Sequence, residues 1–179
     1  MSQAGAGEVC CHFRCRRNHQ TGSNALAHTH SEGVIHRDIK PENILLSEDR
    51  VLAADFGVAR AITEVRTDVL TQPGIALGPI HDMSPEQARG SRTLDGRSDL
   101  HSLGCVLYEL RVGKPPLAAE NENLVMAQRT KDPPPPVRRA CADVEPSLEK
   151  VLLNAMATNS QRVYESATHF VDTLTSAPP

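Results

Sequence analysis

No run of about 18 apolar residues occurs anywhere in the 179-residue chain, which excludes a membrane-spanning helix on length alone. An excess of cationic side chains is missing too. Lys and Arg number 19 against 22 Asp and Glu, for a net charge of −3 and a pI near 6.2, so no electrostatic footprint for nucleic acid exists. Residues 1–22 carry basic side chains but no apolar segment after them, which argues against a secretory signal. A disulfide framework is also absent. The five cysteines, Cys10, Cys11, Cys15, Cys105 and Cys141, are odd in number and three crowd one end. A reducing, cytoplasmic setting is the expectation. What remains is ordinary for a globular protein, 39% hydrophobic and 23% charged, with enough length for one domain and its core.

Residues 1–22 show neither helical nor strand periodicity and are expected to form a disordered tail. Cys10, Cys11, Cys15, His12 and His19 have no zinc-finger spacing and no second Cys/His pair at the usual distance. Gly5-Ala6-Gly7 lacks a third glycine and a flanking strand, so it is no phosphate loop. Ser23 or Asn24 can cap a short helix that Gly33 ends. Ile44–Leu46 and Val51–Ala54 are short apolar runs about the polar Ser47-Glu48-Asp49-Arg50, a hairpin pattern. It brings Asn43, just before one strand, and Asp55, just after the next, towards one ion.

Residues 58–83 have little periodicity and read as a long loop. Ser84, Pro85 and Gln87 have capping-box spacing at the start of a short helix. The strongest helical signal spans 97–112, where Leu100, Leu103, Val106, Leu107 and Leu110 fall close to one face and Gly113 ends the run. Further helices are expected at 120–130, from Pro146 on, and from about Ser166 to Leu174, with Pro133–Pro136 as an extended connector and 176–179 frayed. No internal repeat is visible. The fold class is therefore mainly α with a small antiparallel β-hairpin.

The chemistry-bearing residues concentrate in His36-Arg37-Asp38-Ile39-Lys40-Pro41-Glu42-Asn43, followed by Asp55-Phe56-Gly57. Phosphoryl transfer to a hydroxyl needs a carboxylate aimed at the hydroxyl proton, oxygen ligands for magnesium, and positive charge at the transferring group. With the motifs Asp55–Arg60, Met83–Ala88 and Ser98–Leu110 following in order, the chain from about Ala25 to Leu174 resembles the C-terminal lobe of a serine/threonine protein kinase. It is closest in style to bacterial eukaryotic-like kinases of the PknB type.

That resemblance implies ATP and Mg2+ as cofactors and a Ser or Thr of a protein as substrate. It implies Asp38 as the catalytic base, Lys40 on the γ-phosphate, and Asn43 and Asp55 on the metal. Arg37 would pair with a phosphate on the loop between Asp55 and Glu86, at Thr71 first, then Thr67 or Thr63. Glu86 would form a structural ion pair with Arg162, and Asp99 would accept backbone hydrogen bonds from the catalytic loop. His36 and Phe56 would pack.

The same resemblance exposes departures. Only 35 residues precede His36, and Lys40 is the first lysine, so no upstream lysine can hold the α/β-phosphates. The expected division is 1–22 tail, 23–175 kinase C-lobe without its N-lobe, and 176–179 tail. Pro79 and Asp82 stand where the family has a threonine and a tyrosine, and Pro73 replaces what is often a second phosphorylatable threonine. The reading is a serine/threonine kinase whose 179-residue chain is inactive alone. The competing readings are a pseudokinase-type binding module, with a partner over the surface an N-lobe would cover, and a decayed truncated gene product.

Overall fold

In the computed structural model, residues 26–47, 50–53, 80–119 and 121–176 are described. Residues 26–31 form helix α1, which closes before Gly33 at φ 73°. The chain then runs without regular structure to the 3-10 turn Pro41–Asn43. Strands β1 (Ile44–Ser47) and β2 (Arg50–Ala53) pair antiparallel, with Ile44 opposite Ala53 and Ser47 opposite Arg50. A 3-10 turn at Ile80–Asp82 leads into α2 (Pro85–Ala88), and α3 (Gly96–Val112) follows. The remainder is α4 (Glu122–Lys131), α5 (Val137–Ala140), α6 (Pro146–Ala155), a 3-10 turn at Ser160–Arg162, and α7 (Ala167–Ser176). The described residues are thus mostly helical, as in a kinase C-lobe.

Local chemistry explains the helix boundaries. At α2 the Ser84 hydroxyl accepts from Gln87 N and the Gln87 side chain accepts from Ser84 N, a reciprocal capping box that satisfies two otherwise orphaned donors. Asp95 caps α3 through a 2.9 Å bond from Arg97 N, and Gly113, at φ 81°, ends it. Pro146 occupies the first turn of α6, where its missing N–H costs nothing.

Helix α3 is the axis of the core. Leu100, Leu103 and Val106 pack with Val151, Ala155, Phe170 and Leu174 of α6 and α7, and with Leu26 and Ile39 from the N-terminal side. Its other flank contributes Cys105 and Tyr108 to a second cluster with Val137, Cys141, Val144, Leu152 and Met156. The approach to α6 is close because residue 104 is glycine: a Cβ there would lie 2.9 Å from the Cβ of Ala155. Truncating a side chain such as fully buried Leu100 to alanine costs about 2–5 kcal/mol in cores of this kind. Leu110 shares the apolar face yet is 39% exposed, because burial ends before the helix does. Pro133–Pro136 join α4 to the four-residue α5, an element too short for periodicity to announce.

Candidate active site

Arg37 has a left-handed backbone, φ 68°, and is not glycine, a conformation that costs about 1–3 kcal/mol and persists only when its surroundings enforce it. They do so from both sides. Asp99, in the first turn of α3, accepts from Arg37 N at 2.8 Å through Oδ1 and from His36 N at 2.8 Å through Oδ2. On the other side of the peptide, Gln87 Nε2 donates to the Arg37 carbonyl at 2.8 Å. The Asp99 carboxylate is 1% exposed and takes a third donor, His30 Nε2, at 2.7 Å. His30 reaches it over Gly96, where a Cβ would sit 2.6 Å from the imidazole.

The residue held by this frame is Asp38. Its Oδ2 accepts from Lys40 Nζ at 2.9 Å and from Asn43 Nδ2 at 3.1 Å, and Asn43 Nδ2 also reaches the Asp38 carbonyl at 2.9 Å. Among the described residues both side-chain bonds fall on one oxygen of a carboxylate that is 42% exposed. Asp38 N donates to His36 Nδ1 at 3.3 Å, which makes that ring nitrogen the acceptor. Asn43 is buried and uses its amide nitrogen on Asp38, while its Oδ1 is a hard oxygen of the kind that suits magnesium.

The structure therefore gathers Asp38, Lys40, Asn43, Arg37 and Asp99. The expected metal ligand Asp55, the phosphosite candidates Thr63, Thr67 and Thr71, and Cys10, Cys11, Cys15 and Pro79 lie outside the described residues. The expected ion pair of Glu86 with Arg162 is not formed. Among the described residues Glu86 instead takes a 2.5 Å bond from Ser98 Oγ, and Arg162 is exposed on its 3-10 turn. The physical reason is that α3 already supplies a donor to the half-buried carboxylate, and a further pair to the exposed Arg162 returns little net energy.

A second polar cluster lies behind α3. Asp82 is 4% exposed, and its carboxyl is pushed up to about 7 by burial and by Glu109, with the Arg129 guanidinium pulling the other way. Arg129, itself buried, donates to the His81 carbonyl and, at 3.3 Å, to Cys105 Sγ. The sulfur lies 3.7 Å from His101 Nδ1. Burial, then the Arg129 charge, drives His101 down to about 3, and burial drives Cys105 up to about 11. A neutral imidazole and an intact thiol result. Asp82 Oδ1 and Arg129 Nε are buried without a hydrogen-bond partner.

Sequence reasoning missed His30, Ser98, Arg129 and the second role of Gln87. Gln87 had a usable signal. A capping box uses the side-chain oxygen of its third residue, and a glutamine there has a spare N–H2 that a glutamate lacks. His30 had none, since its partner is 69 residues away.

Comparison with known proteins gives the family. The family described as protein kinase domain matches residues 10–177. The chain is 44% identical over 144 residues to serine/threonine-protein kinase PknB of Mycolicibacterium smegmatis, covering 80% of this chain and 23% of that protein. It is 39% identical over 155 residues to the probable serine/threonine-protein kinase PknB of Corynebacterium glutamicum, covering 84% and 24%. Against the probable PknB of Bifidobacterium longum the identity is 40% over 154 residues, covering 85% and 22%. The chain spans less than a quarter of the length of these relatives.

Proposed function

The chain belongs to the protein kinase family, and from that premise we propose that residues 36–43 are the catalytic loop of a serine/threonine protein kinase of the PknB type. The observation that carries the proposal is the convergence of Lys40 and Asn43 on one oxygen of Asp38, beside an Arg37 peptide held at both ends. In this reading Asp38 Oδ1 would accept the proton of a substrate Ser or Thr hydroxyl as that oxygen bonds to the γ-phosphorus of ATP and the bond from the γ-phosphorus to the β–γ bridging oxygen breaks, releasing ADP. Lys40 pairs with the carboxylate at 2.9 Å and would bring positive charge to the transferring group. Asn43 Oδ1 and Asp55 would hold Mg2+, which when bound neutralises charge on the phosphates. A phosphate on Thr71, Thr67 or Thr63 would pair with Arg37.

The proposal extends to the 179-residue polypeptide taken by itself. No lysine precedes Lys40 in it, so the usual lysine on the α/β-phosphates is not among its residues, and we expect weak ATP binding and transfer near background.

The test is MgATP-dependent phosphate transfer to a generic basic protein by the chain and by Asp38→Asn. Background transfer from both is the expected outcome. Transfer by the wild-type chain that falls about 10²–10⁴-fold in Asp38→Asn would overturn the inactivity and support the base. Transfer that Asp38→Asn leaves unchanged would overturn the role of Asp38.

A further inference from the structure

We propose that Gln87 is a positioning residue for the catalytic loop, tying the N-terminus of α2 to the Arg37 peptide through the two ends of one amide. The inference rests on residues 36–43 being the catalytic loop. Its observations are independent of any nucleotide. Gln87 Oε1 accepts from Ser84 N at 2.9 Å, and Gln87 Nε2 donates to the Arg37 carbonyl at 2.8 Å, across 50 residues of sequence. The first bond fixes the side chain, so the second is delivered from an oriented donor.

The target is also particular. Arg37 is the one described non-glycine residue with positive φ. Its N–H is held by Asp99 from α3 and its C=O by Gln87 from α2. Releasing either end lets the peptide relax out of the left-handed region, and the next residue is Asp38. A capping role alone does not account for this. Glutamate serves equally well at the third position of a capping box, but it has no N–H to give Arg37. The glutamine is used at both ends, and only one end belongs to the helix.

This separates two functions that single substitutions can address one at a time. Gln87→Glu keeps the oxygen for Ser84 N and sets a carboxylate against the Arg37 carbonyl. Ser84→Ala removes the hydroxyl that accepts from Gln87 N and keeps the Gln87–Arg37 bond. Hydrogen exchange of the His36 and Arg37 amides, both bound to Asp99, reads the state of the loop in the 179-residue chain without nucleotide.

In Gln87→Glu at pH 7 these amides are expected to exchange about three- to tenfold faster, the worth of one hydrogen bond. The excess should shrink below about pH 4, where a protonated glutamate can donate again. In Ser84→Ala the melting temperature should fall while the two amides keep their protection relative to the amides of α3. If Gln87→Glu does not fold, Gln87→Met, which removes both the N–H and the oxygen that accepts from Ser84 N, is read against Ser84→Ala as the control for the weakened cap. Unchanged protection in Gln87→Glu or Gln87→Met overturns the proposal, as does an equal loss in Ser84→Ala. Accelerated exchange in Gln87→Glu supports it even if no variant transfers phosphate, an outcome that bears only on the kinase reading.

Discussion

Asp99 and Asp82 are both carboxylates removed from water, at 1% and 4% exposure, and they end in opposite conditions. Asp99 receives three directed donors, two backbone amides and an imidazole N–H. Asp82 lies near one guanidinium but also near Glu109, and its Oδ1 has no donor. Depth is the same and the outcome is not. A buried carboxylate becomes a fixed anchor when N–H groups are aimed at it, and a titrating group when they are not. The His36–Arg37 backbone, in the proposed catalytic loop, hangs from the first kind; the second kind sits at the end of the segment leading into α2.

The largest expected effect tests the anchor. Asp99→Ala leaves the His36 and Arg37 amides and His30 without their acceptor, and should destabilise the fold by about 3–5 kcal/mol in urea denaturation. A loss under about 1 kcal/mol would erase the distinction between the two carboxylates.

Next comes the titrating site. The folded value of Asp82, about 7, lies above its ordinary 3.8, so the folded chain holds that proton more tightly than the unfolded one. Stability from this group is therefore complete below pH 3.8 and is lost as pH rises through 7. Asp82→Asn removes that loss, and should stabilise by about 1–3 kcal/mol at pH 8 and by almost nothing near pH 4. His101 has the opposite sign. Its value falls from 6.5 to about 3, so its stability is present above 6.5 and is lost as pH drops towards 3. Melting temperatures between pH 4 and 8 should show a flat wild-type profile and an acid-labile Asp82→Asn. Parallel profiles would contradict the assignment.

The smallest effect concerns a carboxylate that is neither. Glu86 already has Ser98 as its donor, so Arg162→Ala should change stability by less than about 0.5 kcal/mol. A loss above about 2 kcal/mol would mean that the ion pair expected from the sequence forms after all.

What could be read from the sequence was what is local. The leucine spacing of α3 and the Ser84–Gln87 capping box both act within one or two turns, and both are present. Asp38, Lys40 and Asn43 lie within six residues, so a short turn suffices to bring them together. The frame around them was less legible. Nothing in an arginine codes for a positive φ; the conformation is imposed by Asp99 and Gln87, 62 and 50 residues away. The pairing of Glu86 with Arg162 failed for a related reason. Residue types told which charges could meet but not that Ser98 would be nearer.

Gly96 carries a consequence of its own. At the first residue of a helix, alanine is ordinarily the safer choice, and anyone seeking a sturdier protein would try it. Here the added methyl would collide with the His30 imidazole, which would have to turn away from Asp99. One hydrogen atom at residue 96 thus leaves room for the contact that ties α1 to Asp99, the acceptor of the His36 and Arg37 amides. It marks a place where improving a helix and preserving a site are competing aims.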